Sequence, residues 1–161
     1  MKIGIMADSH ENMPMIRKAV ELFNANGVQY VLHAGDIISP ITAKEFSRLK
    51  ARFIGVFGNN DGEKFFLREK FAPFGEIHER SHRMELAGER ILLKHSQELV
   101  EPLAESGAFD LIIYGHTHEL DIRKGKTLII NPGEAGGWLK GKSTVVILDT
   151  TTMKPEVFDL E

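Results

Sequence analysis

Lys2-Ile3-Gly4-Ile5-Met6-Ala7-Asp8-Ser9-His10 sets the reading of this chain. A short apolar run suited to a buried strand ends abruptly in a carboxylate, and an imidazole follows two positions later. The same event recurs along the sequence. Residues 30–33 lead into Ala34-Gly35-Asp36, residues 52–57 into Gly58-Asn59-Asn60-Asp61, residues 90–94 into His95, and residues 111–114 into Gly115-His116-Thr117-His118. Ligands of α/β sheets collect beyond the carboxyl ends of strands, so these ends could converge on one site.

Helical patterns separate the first strands. Met13, Ile16, Val20 and Phe23 recur at helical spacing, predicting a helix that ends near Gly27. Pro40 suits the first turn of a helix running to about Leu49, and a third helix is expected from about Glu63 to Phe71. The second half is richer in strands. Residues 76–77, 82–86 and 90–94 read as strands, and residues 96–106 as a helix stopped by Gly107. Residues 120–124 and 127–130 pair across Gly125-Lys126, and strands over 143–149 and 156–159 finish the chain. This order predicts an α/β fold of two facing sheets flanked by helices. The chain has 161 residues, and no linker, repeat or charge block divides them, so residues 1–161 are expected to form one domain.

Bulk composition narrows the partners. The net charge of -3 gives no global field toward nucleic acid or an anionic membrane, so long nucleic acid is an unexpected partner. No apolar run approaches the ~20 residues that span a bilayer, and the opening residues do not read as a secretory leader. There is no cysteine, which fits a cytoplasmic setting and leaves only nitrogen and oxygen ligands for any metal.

Each polar cluster has a plain reading beside the chemical one. Asp8 and His10, two residues apart in extended chain, would project to one side and grip a cation, or Asp8 would cap the following helix. Asp36 could bridge two metals or cap the helix near Pro40. Asn59 could offer a neutral oxygen or simply make a turn. His116 and His118 suit two adjacent metals, or an exposed loop. His95 alone is more often structural. His33, His78 and His82 lie outside the clusters and read as structural or surface residues. The ordered combination carries more than any member.

The series Asp-x-His, Gly-Asp, Gly-Asn-x-Asp, His and Gly-His-x-His, carried by Asp8 to His118, resembles the calcineurin-like metallophosphoesterase family. Asn131-Pro132-Gly133 is similar to its small single-domain phosphodiesterase branch. The resemblance implies a four-layer αββα sandwich with two facing mixed β-sheets and two divalent metals. Asp8, His10, Asp36 and His118 would hold one, and Asp36, Asn59, His95 and His116 the other. Three positions depart from the family pattern. Asn60 stands where His is expected, Gln97 replaces a second His after His95, and Glu134 replaces a small residue. A Glu134 facing the cleft would repel anionic substrates.

The implied activity is phosphoester hydrolysis, with a phosphodiester favoured, by metal-activated hydroxide attacking phosphorus in line. Asn60 and Asp61 are the expected catalytic helpers: Asn60 donating to a phosphoryl oxygen, Asp61 orienting His95 or a neighbouring loop. Asn12 and Asn131 are weaker candidates for the phosphoryl oxygens. The ligand set suits Mn²⁺ first, with Ni²⁺, Fe²⁺, Zn²⁺ and Co²⁺ as alternatives. The expected substrate is a small phosphodiester or nucleotide-like molecule. Trp138, near Gly136-Gly137, is read chiefly as core packing, with a substrate rim or a dimer contact as alternatives, and homo-oligomerisation stays open. Rival readings on the same fold are a non-catalytic binding scaffold, like the retromer scaffold subunit, and a phosphomonoesterase or nuclease.

Overall fold

A computed structural model describes residues 1–161. The first half alternates strand and helix: β1 (Lys2–Met6), α1 (Met13–Ala25), β2 (Tyr30–His33), α2 (Ala43–Phe46), β3 (Arg52–Val56), α3 (Lys64–Phe71) and β4 (Gly75–His78). The second half is strand-rich: β5 (Ser81–Leu86), β6 (Glu89–Lys94), α4 (Val100–Ser106), β7 (Leu111–Ile113), β8 (Leu120–Lys124), β9 (Leu128–Pro132), β10 (Thr144–Asp149) and β11 (Lys154–Asp159). One sheet has the order β11-β10-β1-β2-β3-β4, the other β5-β6-β7-β9-β8. Both are mixed. β1 to β4 run parallel while β10 and β11 close an antiparallel edge, and β6, β7 and β9 run parallel between the antiparallel β5 and β8.

Side-chain alternation makes the layers. Ile3 and Ile5 of β1, and Ala7 just beyond it, face the second sheet and pack with Ile91, Leu93, Leu111, Ile113 and Ile130. Met6, on the opposite face of β1, joins Ile16, Val20 and Phe23 of α1 and the rings of Phe46, Phe53 and Phe71. Leu92, Ile112 and Ile129 turn outward from the second sheet to meet Val100 and Ala104 of α4. Helix, sheet, sheet and helix therefore stack with three apolar seams between them, the αββα sandwich expected.

The helices are shorter than their sequence patterns. Asn12 accepts the Met15 N–H and caps α1, so the cap is Asn12 and not Asp8. The segment expected as one helix from Pro40 to Leu49 is a 3₁₀ turn over Pro40–Thr42 followed by the single turn of α2. The last helix begins at Val100, not Ser96, because Leu99 sits at φ 63° and breaks the helical run.

Candidate metal centre

Parallel register brings the polar clusters together. Met6 pairs with His33, and His33 with Gly55, so the chains leaving β1, β2 and β3 emerge side by side. Asp8 N–H donates to Gly35 O at 3.0 Å and His10 N–H to Asp36 O at 3.0 Å, lacing the first two exits. On the facing sheet Leu93 pairs with Ile113, and Gly115 N–H donates to His95 O at 3.0 Å. The sheets meet across two glycines. A Cβ on Gly35 would lie 2.6 Å from His95 Nδ1, and one on Gly115 would lie 2.8 Å from Asp8 Oδ2. The absent side chains allow the exits of one sheet to touch those of the other.

All seven predicted ligand residues meet there, in two overlapping groups. Asp8 Oδ1 lies 3.8 Å from His10 Nε2 and 3.5 Å from His118 Nε2. Asp36 Oδ2 lies 3.5 Å from His10 Nε2 and 3.6 Å from His95 Nε2, between the groups. In the second group Asn59 Oδ1 is 2.8 Å from His95 Nε2 and 2.9 Å from His116 Nδ1, and those two nitrogens are 3.2 Å apart. Two atoms bound at ~2.1 Å to one ion in tetrahedral arrangement lie about 3.4 Å apart, so these spacings fit shared cations. Asp8 Oδ1 and His10 Nε2 are buried and make no hydrogen bond. Such atoms are costly unless an ion or water completes them. The Asp8 carboxylate, with Asp36 and Glu134 nearby, raises the His10 pKa against the opposing effect of burial, so the cage favours positive charge.

The backbone carries strain at the same place. Asp8, His10, Asp36, His116 and His118 all have φ between 41° and 71°. Non-glycine residues rarely adopt this region, and clustered outliers mark functional sites. The expected convergence of Asp8 and His10 by strand alternation is therefore corrected: both lie beyond β1 in left-handed backbone, and loop geometry aims them.

The surrounding residues fix these groups. His95 Nδ1 donates to Ala34 O at 2.7 Å, which leaves Nε2 free to accept or ligate. His116 N–H donates to Asp8 Oδ2 at 3.0 Å, a tie between the two sheets. Asn60 gives its backbone N–H to Asp36 Oδ1 at 2.9 Å and its amide Nδ2 to Asp36 Oδ2 at 2.8 Å. Asp61 accepts the N–H groups of Asp36 at 3.0 Å, Ile38 at 2.7 Å and Gly58 at 2.7 Å. Asp61 thus holds the neighbouring loop and does not reach His95. His33 is structural, as expected, but lies directly beneath the site. Gly35 N–H donates to its Nδ1, which puts the ring proton on Nε2 facing Ser9 Oγ at 2.9 Å. Burial lowers its pKa to about 3, with the charges of His95 and His10 adding to the effect.

Four sequence expectations change. Asn131 is fully buried and donates to Gly115 O and Thr117 Oγ1, so it supports the Gly-His-x-His loop from beneath. Asn12 donates to Gly136 O at 2.6 Å and likewise faces inward. Glu134 lines the cleft but is buried, its carboxylate taken by the N–H groups of Trp138, Leu139 and Lys140, with Oε1 3.4 Å from His118 Nδ1. Trp138 is not core packing: it is 65 % exposed at the edge of the site. Glu134 is the residue that sequence reasoning missed as a support. Its signal was the departure from a small residue after Asn131-Pro132-Gly133, and only its burial shows what that departure does.

Comparison with known proteins places the chain in a family. The model of the calcineurin-like phosphoesterase superfamily domain matches residues 1–153. The phosphodiesterase MJ0936 of Methanocaldococcus jannaschii is 43 % identical over 155 residues, covering 93 % of each chain. The phosphodiesterase YfcE of Escherichia coli K12 is 25 % identical over 151 residues, covering 83 % of this chain and 78 % of that one. Among solved structures, an archaeal phosphodiesterase superposes with a TM-score of 0.94 at 39 % identity, covering 99 % of both chains. Vps29 of Chaetomium thermophilum shares the fold, with a TM-score of 0.72 at 15 % identity over 99 % of this chain and 96 % of that one. The chain belongs to the calcineurin-like phosphoesterase superfamily, a family of phosphoester hydrolases.

Proposed function

We propose that this chain is a phosphodiesterase acting with two divalent ions, Mn²⁺ first among them, on a small phosphodiester or nucleotide-like substrate. The observation that carries the reading is the pair of facing ligand groups with Asp36 between them, and with Asp8 Oδ1 and His10 Nε2 of the first group buried and unpaired. Asp8, His10, Asp36 and His118 would hold one ion, and Asp36, Asn59, His95 and His116 the other. The mixed carboxylate, amide and imidazole set suits Mn²⁺, Fe²⁺, Zn²⁺, Ni²⁺ or Co²⁺. When bound, two such ions supply charge to the phosphoryl oxygens and make a water nucleophilic at neutral pH, for attack in line on phosphorus.

The protein's own part is positioning. Asn60 holds both oxygens of Asp36 and has a second amide proton to offer a phosphoryl oxygen. Asp61 fixes the backbone of Asp36 and Gly58, so the two loops keep one spacing. His95 presents Nε2 because Ala34 O takes its other proton. The phosphodiesterases named above as relatives support a diester over a monoester. Asn60 in place of a histidine removes a group able to protonate a poor leaving group, which also favours diesters with good ones. A single domain over residues 1–161 and a cytoplasmic setting complete the proposal; no helix is long and apolar enough to cross a membrane.

The test is hydrolysis of bis-p-nitrophenyl phosphate after metal removal and return of Mn²⁺, Zn²⁺, Ni²⁺, Fe²⁺ or Co²⁺. Activity should vanish on removal and return with at least one ion. His116→Ala should abolish turnover with the circular dichroism spectrum unchanged. Full activity in that variant would overturn the ligand set, and no activity with any ion would overturn catalysis.

A further inference from the structure

The two flanks of the metal-ligand cluster differ in chemistry. Beyond Asn59 and His95 lies a polar cavity of about 240 Å³ bordered by Lys64, Glu79 and Arg80. Beyond His10, Asn60 and His118 lies a cavity of about 550 Å³ whose other walls are Ile38, Trp138, Leu139 and Glu134, the last buried with its carboxylate taken by backbone N–H groups of the Trp138 loop. Trp138 and Leu139 are 65 % and 74 % exposed, so a substantial apolar surface stands open against charged and imidazole groups. Exposed apolar surface beside a polar site marks binding of something partly apolar.

The ring of Trp138 is held in place without a ligand. Its Nε1–H donates to the His10 carbonyl at 3.1 Å. Its backbone N–H and those of Leu139 and Lys140 all end on the Glu134 carboxylate, at 2.9 to 3.1 Å. The loop lies against the exit of β1, with Gly136 N–H donating to Asp8 O at 3.0 Å. Opposite it, Ile38 sits at φ 88°, costly for a β-branched residue, and its N–H is taken by Asp61. The wall is built by the same residues that support the ligand loops, and fixing it beforehand removes an ordering cost from binding.

We infer that Trp138, with Ile38 and Leu139, is the specificity-determining wall for a flat aromatic group, such as a nucleobase, carried by the substrate whose phosphate sits at Asp8, His10 and His118. This rests on the phosphodiesterase reading for its substrate but not for its first test. An indole face stacks on any base, and both cavity size and continuity with His10 and His118 suit one nucleoside attached to that phosphate. The flank at Lys64 and Arg80 offers polar and charged groups in place of such a wall, so the aromatic group belongs on the Trp138 side.

Trp138 is the only tryptophan of the chain, so its fluorescence reports this wall alone. On metal-loaded protein, thymidine 5′-monophosphate should quench it saturably, and methyl phosphate at equal concentration should not. Equal or absent quenching by both overturns the inference, whether or not the protein turns over any ester. Kinetically, the ratio of kcat/KM for thymidylyl-thymidine over the ring-free diester glycerophosphoethanolamine should fall about tenfold in Trp138→Ala, mainly through KM. Trp138→Phe keeps an aromatic face but loses the bond to His10, and should retain most of the ratio. An equal fall on both substrates, or an identical loss in both variants, would make Trp138 a structural tie only. Quenching by the nucleotide with no hydrolysis of either diester would instead overturn the catalytic reading and leave the wall standing.

Discussion

Glu134 Oε1 lies 3.4 Å from His118 Nδ1, while Nε2 of the same ring lies 3.5 Å from Asp8 Oδ1. A buried carboxylate thus stands behind an imidazole whose other nitrogen faces the cage; His118 Nδ1 makes no hydrogen bond, so Glu134 acts on the ring through its nearby charge. Glu134→Ala should weaken binding of the ion held with Asp8 and His10 by ~10- to 100-fold. Isothermal titration with Mn²⁺ or Zn²⁺ checks this. An unchanged affinity would reduce Glu134 to a staple for the loop at Trp138.

Asp61 accepts three backbone N–H groups and is nearly buried. Asp61→Ala leaves these donors without their partner, and each buried donor so orphaned costs about 1–3 kcal/mol. Water will recover part of this, so urea denaturation should show a loss of roughly 2–4 kcal/mol. Turnover should fall as well, because Ile38 and Asp36 lose their common anchor. A stability loss under about 0.5 kcal/mol would mean the loop holds itself.

Gly115 is required by space, not by its own dihedral angle. A Cβ there would stand 2.8 Å from Asp8 Oδ2 and 2.9 Å from Ala7 Cβ. Gly115→Ala should part the two sheets at the site and break the bond from His116 N–H to Asp8 Oδ2. Metal affinity and kcat should both fall by at least about tenfold, about 1.4 kcal/mol. Wild-type affinity in this variant would show that the sheets are not in contact there.

His33 gives the fold an acid sensitivity. Its pKa is lowered to about 3 in the folded chain, against about 6.5 when exposed. Between these values the unfolded chain binds a proton that the folded chain refuses. Stability is therefore full above about pH 6.5 and is lost progressively as pH falls toward 3. From pH 6.5 to 5 the loss attributable to His33 is about 1.5 kcal/mol, since the slope reaches 1.36 kcal/mol per unit only well below the unfolded pKa. Urea denaturation at pH 7, 6 and 5 should show it, and His33→Gln should flatten the wild-type slope. Equal slopes would place the proton elsewhere.

The amino-acid sequence by itself determined the candidate donor residues and the class of fold. Asp8, His10, Asp36, Asn59, His95, His116 and His118 stand beyond strand ends, and hydrophobic runs name those strands because side-chain alternation is a local property. It also placed the turn of β8 and β9 and the helix ridge Ile16, Val20 and Phe23, since these repeat within a few residues. Helix ends were less legible, because Leu99 and the residues after Pro40 take backbone angles that tertiary contacts impose.

Tertiary structure alone decided which polar residues face the cleft. Asn12 and Asn131 look like phosphate donors in sequence, yet the first spends its amide on Gly136 and the second on Gly115 and Thr117. Trp138 looks like core, yet it lies open beside His10. Burial and hydrogen-bond direction depend on partners more than a hundred residues away, as between Asn12 and Gly136 or His10 and Trp138. No local pattern encodes such a distance; the packing of one sheet on the other sets it.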